Sequence, residues 1–212
     1  MDQPIADVTG VLLAGGKSRR MGEDKRFLTL AGQTLLERAL SVLEGLFTEV
    51  LVVVGQPEPR LAGLRHPVVA DLIPGCATLG GLYTGLSEAS HQRIFAAACD
   101  MPFLNPAVIR LMAQLDRTSD VVMARLANGL QPMHAFYSKA CLPYLREMLN
   151  VGNLTVQDLC RQPALSVRLL SEEELRQADP QLLSFMNVNA PADLEFARKL
   201  LAGRQLGPAR EG

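Results

Sequence analysis

A short basic segment near the amino end, Leu13 to Lys25 with the sequence LAGGKSRRMGEDK, has the residue types that bind phosphate. Within it, Ala14-Gly15-Gly16 lets backbone N–H groups approach an anion closely, because glycine has no Cβ. Five of the chain's 21 basic residues fall within ten positions, at Lys17, Arg19, Arg20, Lys25 and Arg26. Arginine grips phosphate oxygens with paired hydrogen bonds, and lysine acts as a point charge. The segment predicts a triphosphate site; the alternative is a flexible glycine-rich turn beside a solvated basic face.

Two common nucleotide-binding motifs do not fit this segment. A Walker A loop has four residues between its first glycine and its Gly-Lys pair, whereas five residues separate Gly10 from Gly16. Gly10 also lies inside the predicted first strand. The dinucleotide fingerprint G-x-G-x-x-G is absent. The segment is therefore a weak match to both the P-loop and the dinucleotide-binding motif.

Asp100 follows a buried apolar run, Ile94 to Cys99, and precedes Met101-Pro102. A carboxylate at the tip of a buried strand can hold Mg²⁺ while the metal keeps water and phosphate ligands. The proline stiffens the turn that aims the carboxylate. The alternative is an aspartate that caps a turn before proline. From the residues alone, both interpretations stay open.

Three further polar positions are candidate site residues. Asp71 ends a short strand and is suited to a base edge or a ribose, or to a turn. Asn187 and Asn189 alternate at the end of a strand predicted at Phe185-Met186, where they can offer oxygen to a metal or a hydroxyl. The alternative for this pair is a cap for the last helix.

His134 lies in the apolar stretch QPMHAFYSK. An isolated histidine of this kind is more often a core or rim residue than a catalyst. The chain has no Ser–His–Asp or Cys–His set with a recognisable local signature. The sequence thus gives no evidence for a covalent nucleophile.

Strands and helices alternate along the chain. Predicted strands are Asp7–Leu13, Val50–Val54, Val68–Ala70, Ile94–Cys99, Val121–Ala124, His134–Tyr137 and Val167–Leu170. Helices are predicted after Thr34 (capping box with Glu37), over Leu79–Ala89, after Asn105, over Ser138–Leu149, after Ser171 (capping box with Glu174) and over Pro191–Leu201, closed by Gly203. This alternation predicts one α/β domain with a mostly parallel sheet, over residues 1–203, and a frayed tail over 204–212. Ligands of such sheets bind beyond the carboxyl ends of the strands.

Bulk properties exclude several classes of function. The net charge is −1 over 212 residues, and there is no tryptophan, so neither a nucleic-acid-binding nor a membrane-seeking protein is indicated. The amino end lacks the basic region of a secretory signal, and no apolar run could span a bilayer. Four cysteines without C-x-x-C spacing, at Cys76, Cys99, Cys141 and Cys160, suggest reduced thiols. We therefore expect a cytoplasmic protein.

Together these segments resemble the molybdenum cofactor guanylyltransferases of the MobA type, within the wider Rossmann-like nucleotidyltransferase superfamily. The matching stretches, from about Thr9 to Leu194, are GVLLAGGKSRRMGEDK, DLIPG followed by LGGL, AACDMPF, QPMHA and FMNVNAPADL. LAGGKSRRMG with the following lysine marks the wider superfamily. CDMPF and NVN-x-P-x-DL narrow the resemblance to the MobA type.

The resemblance implies a single-domain, Rossmann-like three-layer sandwich around a mixed, mostly parallel sheet. It implies Mg²⁺-dependent transfer of GMP from GTP to the terminal phosphate of molybdopterin, with release of pyrophosphate. Cofactor biosynthesis proteins and apo-molybdoenzymes would be further partners. By position, the resemblance implies that the backbone of Leu13, Ala14 and Gly15 contacts GTP and that Gly16, Arg19 and Lys25 surround its phosphates. Asp71 would contact the nucleoside, and Asp100 would bind Mg²⁺ and a GTP phosphate. Asn187 and Asn189 would lie near the reacting phosphates or the pterin. Arg125, His134 and Arg168 are named only as candidates for the pterin.

The chain departs from the family pattern at three places. Ala77-Thr78 replaces a usual Gly-Pro pair, and Gly55 with its neighbours stands where an asparagine commonly contacts guanine. Ala190 replaces a threonine that can cap the last helix. The first two departures concern the base, so a CTP-dependent enzyme is the nearest alternative. A sugar-phosphate or isoprenoid-precursor nucleotidyltransferase and a non-catalytic nucleotide-binding module are the wider ones.

Overall fold

A seven-stranded sheet forms the centre of the computed structural model, which describes residues 3–15 and 24–205. The strands in chain order are β1 (Val8–Leu13), β2 (Thr29–Leu30), β3 (Gln33–Thr34), β4 (Glu49–Val54), β5 (Val68–Ala70), β6 (Arg93–Ala98), β7 (Val121–Leu126), β8 (Gly129–Ser138) and β9 (Val167–Leu170). The α-helices are α1 (Leu35–Glu44), α2 (Ala77–Glu88), α3 (Pro106–Leu115), α4 (Leu142–Asn150), α5 (Glu172–Arg176) and α6 (Pro191–Gln205). Strands β2 and β3 pair separately as a small hairpin.

The strand order in the large sheet is β5-β4-β1-β6-β8-β7-β9. Only β8 among these strands is antiparallel to its neighbours, β6 and β7. The predicted α/β class and the mostly parallel mixed sheet are therefore confirmed. The other strands all point the same way, so the residues that follow β1, β4, β5 and β6 meet at one edge of the sheet.

Helices cover both faces of the sheet. Leu12 and Phe95 belong to the apolar cluster that contains most of the buried residues of α1 and those of α3. Val11 and Ile94, their neighbours in sequence, belong to the cluster that contains the buried residues of α2 and α4. Successive strand residues point to opposite faces, so each run of apolar residues is buried on both sides. This arrangement confirms the three-layer sandwich.

Local capping signals set the starts of three helices as predicted. Thr34 and Glu37 form a reciprocal capping box at α1, and Ser171 and Glu174 form one at α5. The Asn105 side chain accepts a hydrogen bond from the Ala107 N–H at the start of α3. Each of these interactions satisfies an N–H group that has no partner within the helix.

Four element predictions are wrong. Phe185 lies in a 3₁₀ helix, Leu183–Phe185, rather than a strand, and it follows Leu182 in the left-handed region at φ 54°. Helix α6 does not stop at Gly203 but continues to Gln205. The segment after Ser138 begins as a 3₁₀ turn, Lys139–Cys141, before α4. Strand β8 begins at Gly129 rather than at His134. It includes Pro132, a residue type that usually ends a strand, and this proline lies in the stretch where the pairing with β7 shifts register.

The domain boundaries stay a prediction, with residues 206–212 of the tail outside the described part of the chain. Among the described residues, no helix combines the length and the apolar character needed to cross a membrane.

Candidate active site

The carboxyl ends of β1, β4 and β6 are held together by backbone hydrogen bonds. The Ala14 N–H donates to the Val53 carbonyl at 2.8 Å, and the Cys99 N–H donates to the Leu13 carbonyl at 3.1 Å. Leu13 and Ala14 are buried, and Gly15 is exposed at the edge. Three of the predicted nucleotide-binding residues therefore lie where the sheet rule expects a ligand.

Gly15 packs against the end of the neighbouring strand. A Cβ on Gly15 would lie 3.2 Å from the backbone nitrogen of Gly55, tighter than an ordinary contact. A Cβ on Gly55 would meet nothing within 4 Å among the described residues. The first glycine is thus needed for the close approach of β1 to β4, whereas a Cβ at the second would not clash with any described residue. Gly16 and Arg19, predicted to contact the phosphates, lie outside the described residues.

Lys25, Asp100 and Asn189 converge from three distant parts of the chain. The Lys25 Nζ donates to the Asn189 Oδ1 at 2.8 Å and lies 3.6 Å from the Asp100 Oδ2. The Lys25 and Asp100 side chains are only 17% and 21% exposed. A partly desolvated ammonium beside a carboxylate and an amide suits the recognition of a phosphate and its counter-ion.

Burial and the neighbouring Lys25 have opposite effects on the pKa of the Asp100 carboxyl group. Burial raises the pKa of Asp100, and the ammonium of Lys25 opposes that rise. The Asp100 carbonyl accepts a hydrogen bond from the Val188 N–H at 2.8 Å. This bond fixes the segment Asn187–Asn189 beside the end of β6, as expected if both belong to one site.

The two asparagines differ in their contacts. The Asn187 Nδ2 donates locally to the Phe185 carbonyl at 3.4 Å. The Asn189 side chain reaches Lys25, while its backbone N–H donates to the Asp193 Oδ2 at 2.8 Å. The Ala190 N–H donates to the same carboxylate oxygen at 2.8 Å. Asp193 thus supplies half of a capping box for α6, although alanine has replaced the usual hydroxyl residue.

Asp71, which follows β5, connects its loop to helix α2. Its Oδ1 accepts hydrogen bonds from the Ile73 N–H and the Thr84 hydroxyl, both at 3.0 Å. Thr84 is fully buried in α2, and its Oγ1 accepts the Leu72 N–H at 2.9 Å. A Cβ on Gly80, one helical turn before Thr84, would come within 2.7 Å of the Asp71 Oδ2. The carboxylate therefore fixes the loop after β5 to α2, and its nucleoside contact stays a prediction.

Thr84 is not among the residues that the sequence predicts for the site. Gly80 and Thr84 are four positions apart on the helix, so they share a face. A small residue and a buried hydroxyl on one helix face indicate close approach of a polar loop. That signal was present in the sequence.

Ala77, the first residue of α2, adopts a positive φ of 48°. The family pattern has glycine at this departure, and an L-residue in the left-handed region is strained by about 1–2 kcal/mol. Ala77 thus adopts a backbone conformation that glycine would adopt without strain.

Arg26, one of the five basic residues of the predicted phosphate-binding cluster, pairs with two acidic side chains. Its Nε donates to the Asp24 Oδ1 at 2.9 Å, and its Nη2 donates to the Glu58 Oε2 at 2.8 Å. Its Nη1 donates to the Ala14 carbonyl at 3.3 Å. Arg60 pairs with the same acids, and its hydrogen bond lowers the pKa of Glu58 to about 2. Arg26 therefore ties the turn that carries Lys25 to the ends of two strands.

Two of the three candidate pterin residues are otherwise engaged. His134 is fully buried and cannot touch a substrate, which agrees with its assignment to the core or rim. Arg168 pairs with Glu174. Arg125 is exposed near the carboxyl end of β7. Within residues 3–15 and 24–205, no three His, Cys, Asp or Glu side chains form a cluster that could hold a metal ion on their own.

Relatives and solved structures agree with this architecture. Residues 10–166 match the family model of the MobA-like NTP transferase domain. The chain is 38% identical to a protein of Pelotomaculum thermopropionicum named probable molybdenum cofactor guanylyltransferase, over 96% of this chain and 98% of that protein. It is 36% identical to the molybdenum cofactor guanylyltransferase of Desulfosudis oleivorans, over 93% and 98% of the two chains.

The fold is also similar to the crystal structure of molybdopterin-guanine dinucleotide biosynthesis protein A from Archaeoglobus fulgidus. The TM-score is 0.80, over 92% of this chain and 99% of that chain, at 24% identity. At this identity the likeness concerns the fold alone. Together with the family model and the two relatives, it confirms the resemblance predicted from the sequence: the chain belongs to the MobA-like NTP transferase family.

Proposed function

We propose that this protein transfers GMP from GTP to the terminal phosphate of molybdopterin and releases pyrophosphate. The observation that carries the proposal is the position of the Lys25 Nζ, 2.8 Å from Asn189 and 3.6 Å from Asp100 at the carboxyl edge of the sheet. The names of the relatives from Pelotomaculum thermopropionicum and Desulfosudis oleivorans support guanine as the base and the molybdenum cofactor as the acceptor.

The reaction needs charge neutralisation more than proton transfer. A phosphate oxygen of molybdopterin forms a bond to the α-phosphorus of GTP, and the bond from that phosphorus to the bridging oxygen of pyrophosphate breaks. The attacking phosphate is already ionised at neutral pH, so no strong general base is required. Lys25 would offset the repulsion between the two anionic substrates and hold the phosphates in line.

Asp100 would hold Mg²⁺, which supplies further charge neutralisation on phosphate oxygens when bound. Mg²⁺ commonly takes one or two carboxylates, with substrate phosphates and water as its other ligands. Asp100 is a largely buried carboxylate whose pKa is raised by burial, so a neighbouring cation would favour its ionised form. The amide oxygen of Asn189, held close by Lys25, is a second oxygen donor of the same hard character.

The choice of guanine as the base is the part of the proposal most affected by the departures from the family pattern at Gly55 and Ala77. A competition experiment tests it: the protein with Mg²⁺ and molybdopterin receives equal concentrations of α-labelled GTP and CTP, and the labelled dinucleotides are separated. We expect the guanine product to dominate. A dominant cytosine product would overturn the choice of base, and binding of nucleotide without any product would favour a non-catalytic module.

A further inference from the structure

We propose that His134 and Ser184 are positioning residues, which hold the segment Asn187–Asn189 so that Asn189 can orient Lys25. Neither residue contacts a substrate in this account. The inference rests on the proposed transfer reaction for its effect on rate, but the contact itself is open to a measurement that needs no activity.

His134 and Ser184 form a buried polar contact across 50 positions of the chain. The His134 Nε2 lies 2.9 Å from the Ser184 Oγ, and both residues are fully buried. The His134 ring also packs against Phe185, with ring centroids 4.4 Å apart. A residue of β8 in the central sheet therefore fixes the 3₁₀ turn that immediately precedes the asparagines.

Ser184 is the point where several elements join. Its Oγ accepts the Asn105 N–H at 3.0 Å, from the cap of α3. Its own N–H donates to the Oδ2 of Asp179, a nearly buried carboxylate, at 2.7 Å. Because the hydroxyl accepts from Asn105, its proton is available for a nitrogen of His134. The turn is thus anchored to the sheet, to α3 and to the loop before it.

The other end of the segment is anchored at the site. The Val188 N–H donates to the Asp100 carbonyl at 2.8 Å, and the Asn189 Oδ1 accepts from Lys25 at 2.8 Å. Only five positions separate Ser184 from Asn189. Because the connection is so short, a displacement of the turn at Ser184 would also displace the Asn189 amide, which accepts the hydrogen bond from Lys25.

The buried histidine has a cost that an apolar residue would not have. The His134 Nδ1 has no hydrogen-bond partner among the described residues, and burial lowers the pKa of His134 to about 3, so the ring stays neutral. A buried polar atom without a partner destabilises the fold, because its hydrogen bond to water is not replaced. Packing alone would be served better by leucine or methionine. What histidine adds is the hydrogen bond to Ser184.

The test compares two substitutions of similar size. His134→Gln keeps a side-chain nitrogen that can reach the Ser184 Oγ, whereas His134→Met has nearly the same length without a polar group. Ser184→Ala removes the hydroxyl from the other side. Ser138→Ala is the matched control, because it also removes a hydroxyl hydrogen bond, to Asp120, but at the opposite edge of the sheet.

Two measurements are made on each full-length variant. Amide hydrogen exchange of Val188 reports the position of the segment, and steady-state kinetics with GTP and molybdopterin reports kcat and KM. We expect His134→Met and Ser184→Ala to speed the exchange of Val188 by about tenfold, consistent with the loss of one buried hydrogen bond. We expect kcat to fall by about tenfold or more with a smaller change in KM, because misplacement of a positioned group acts mainly on the reacting geometry.

His134→Gln should retain most of the Val188 protection and of kcat, and Ser138→Ala should retain both. Equal Val188 exchange and equal kcat in His134→Gln and His134→Met would overturn the proposal, as would unchanged Val188 exchange in Ser184→Ala. If the wild-type protein has no transfer activity, the proposed function fails, while the exchange results still decide the positioning contact.

Discussion

The Nζ of Lys25 lies 2.8 Å from the Oδ1 of Asn189, although 164 positions of the chain separate the two residues. The same ammonium lies 3.6 Å from the Oδ2 of Asp100. Lys25, the last residue of the basic segment Leu13 to Lys25, is thus held by a residue just before the last helix. The candidate site therefore combines an ammonium, which we propose binds phosphate, with a carboxylate at the tip of β6 and an amide that orients the ammonium.

Replacing Lys25 by methionine should remove the charge and keep the length of the side chain. We expect kcat/KM for GTP to fall about a hundredfold, the size found when one preorganised electrostatic contact to a transition state is lost. Lys139→Met is the control, because the Lys139 Nζ donates to the Ala89 carbonyl, away from the site. Wild-type kcat/KM in Lys25→Met would remove Lys25 from the catalytic machinery.

Adding a methyl group at Gly80 should disturb the loop that carries Asp71. The new Cβ would lie 2.7 Å from the Asp71 Oδ2 and 3.0 Å from the Ile73 carbonyl oxygen. We expect Gly80→Ala to lower the free energy of unfolding by about 1–3 kcal/mol, the usual cost of overpacking. Urea unfolding measures this. Gly63→Ala, whose Cβ would meet no described residue within 4 Å, should show no comparable loss. Equal stability of the two variants would contradict the close approach.

Replacing Ala77 by glycine should stabilise the protein. Ala77 has a φ of 48°, and relief of that strain exceeds the entropic cost of glycine by about 0.5–1 kcal/mol. Ala107→Gly makes the same change in the first turn of α3, where no positive φ occurs, and should destabilise by about 0.5–1 kcal/mol. The two urea midpoints should therefore move in opposite directions. A downward shift for Ala77→Gly would mean that its backbone is not strained.

Asp120 should make the stability of the sheet sensitive to acid. Its carboxylate accepts hydrogen bonds from the Ser138 hydroxyl, and from the Ser166 N–H and hydroxyl, and these bonds lower the pKa of Asp120. A lowered pKa contributes stability that is present above the unfolded-state value of about 3.9. That stability is lost as the pH falls through the lower, folded-state pKa.

Urea unfolding of the wild-type protein between pH 7 and pH 2 measures this dependence. Asp120→Asn should be less stable than wild type at pH 7, and the difference should shrink as the pH falls below about 4. Ser166→Ala, which removes one donor, should show part of the same effect. A wild-type-to-Asn difference that stays constant over this pH range would refute the assignment.

The predictable part of the molecule rests on local signals and on the geometry of parallel strands. Thr34 and Glu37 predict the start of α1, because the two residues of a capping box are only three positions apart and can be recognised in the sequence. Asp100 could be assigned to the same edge as Leu13 because parallel strands end together. Neither inference needs knowledge of side-chain packing.

The contacts that a linear pattern cannot predict join distant segments. The bond between Lys25 and Asn189 depends on how the last helix packs against the hairpin, and Ser184 binds His134 only because a 3₁₀ turn replaces the strand expected there. The Arg26 guanidinium joins Asp24, two positions before it, to Glu58, 32 positions after it, and the second of these contacts depends on the fold. In each case tertiary packing decides the role of a side chain whose type alone was known.

Single-turnover transfer from α-labelled GTP to molybdopterin, measured for the wild-type protein and for Asp100→Asn with Mg²⁺ present, tests the central claim most directly. We expect labelled guanine dinucleotide from the wild-type protein and a rate at least about a hundredfold lower from Asp100→Asn, because the carboxylate that would hold the ion is lost. Circular dichroism should show that the variant remains folded. Transfer by Asp100→Asn at the wild-type rate would contradict the account.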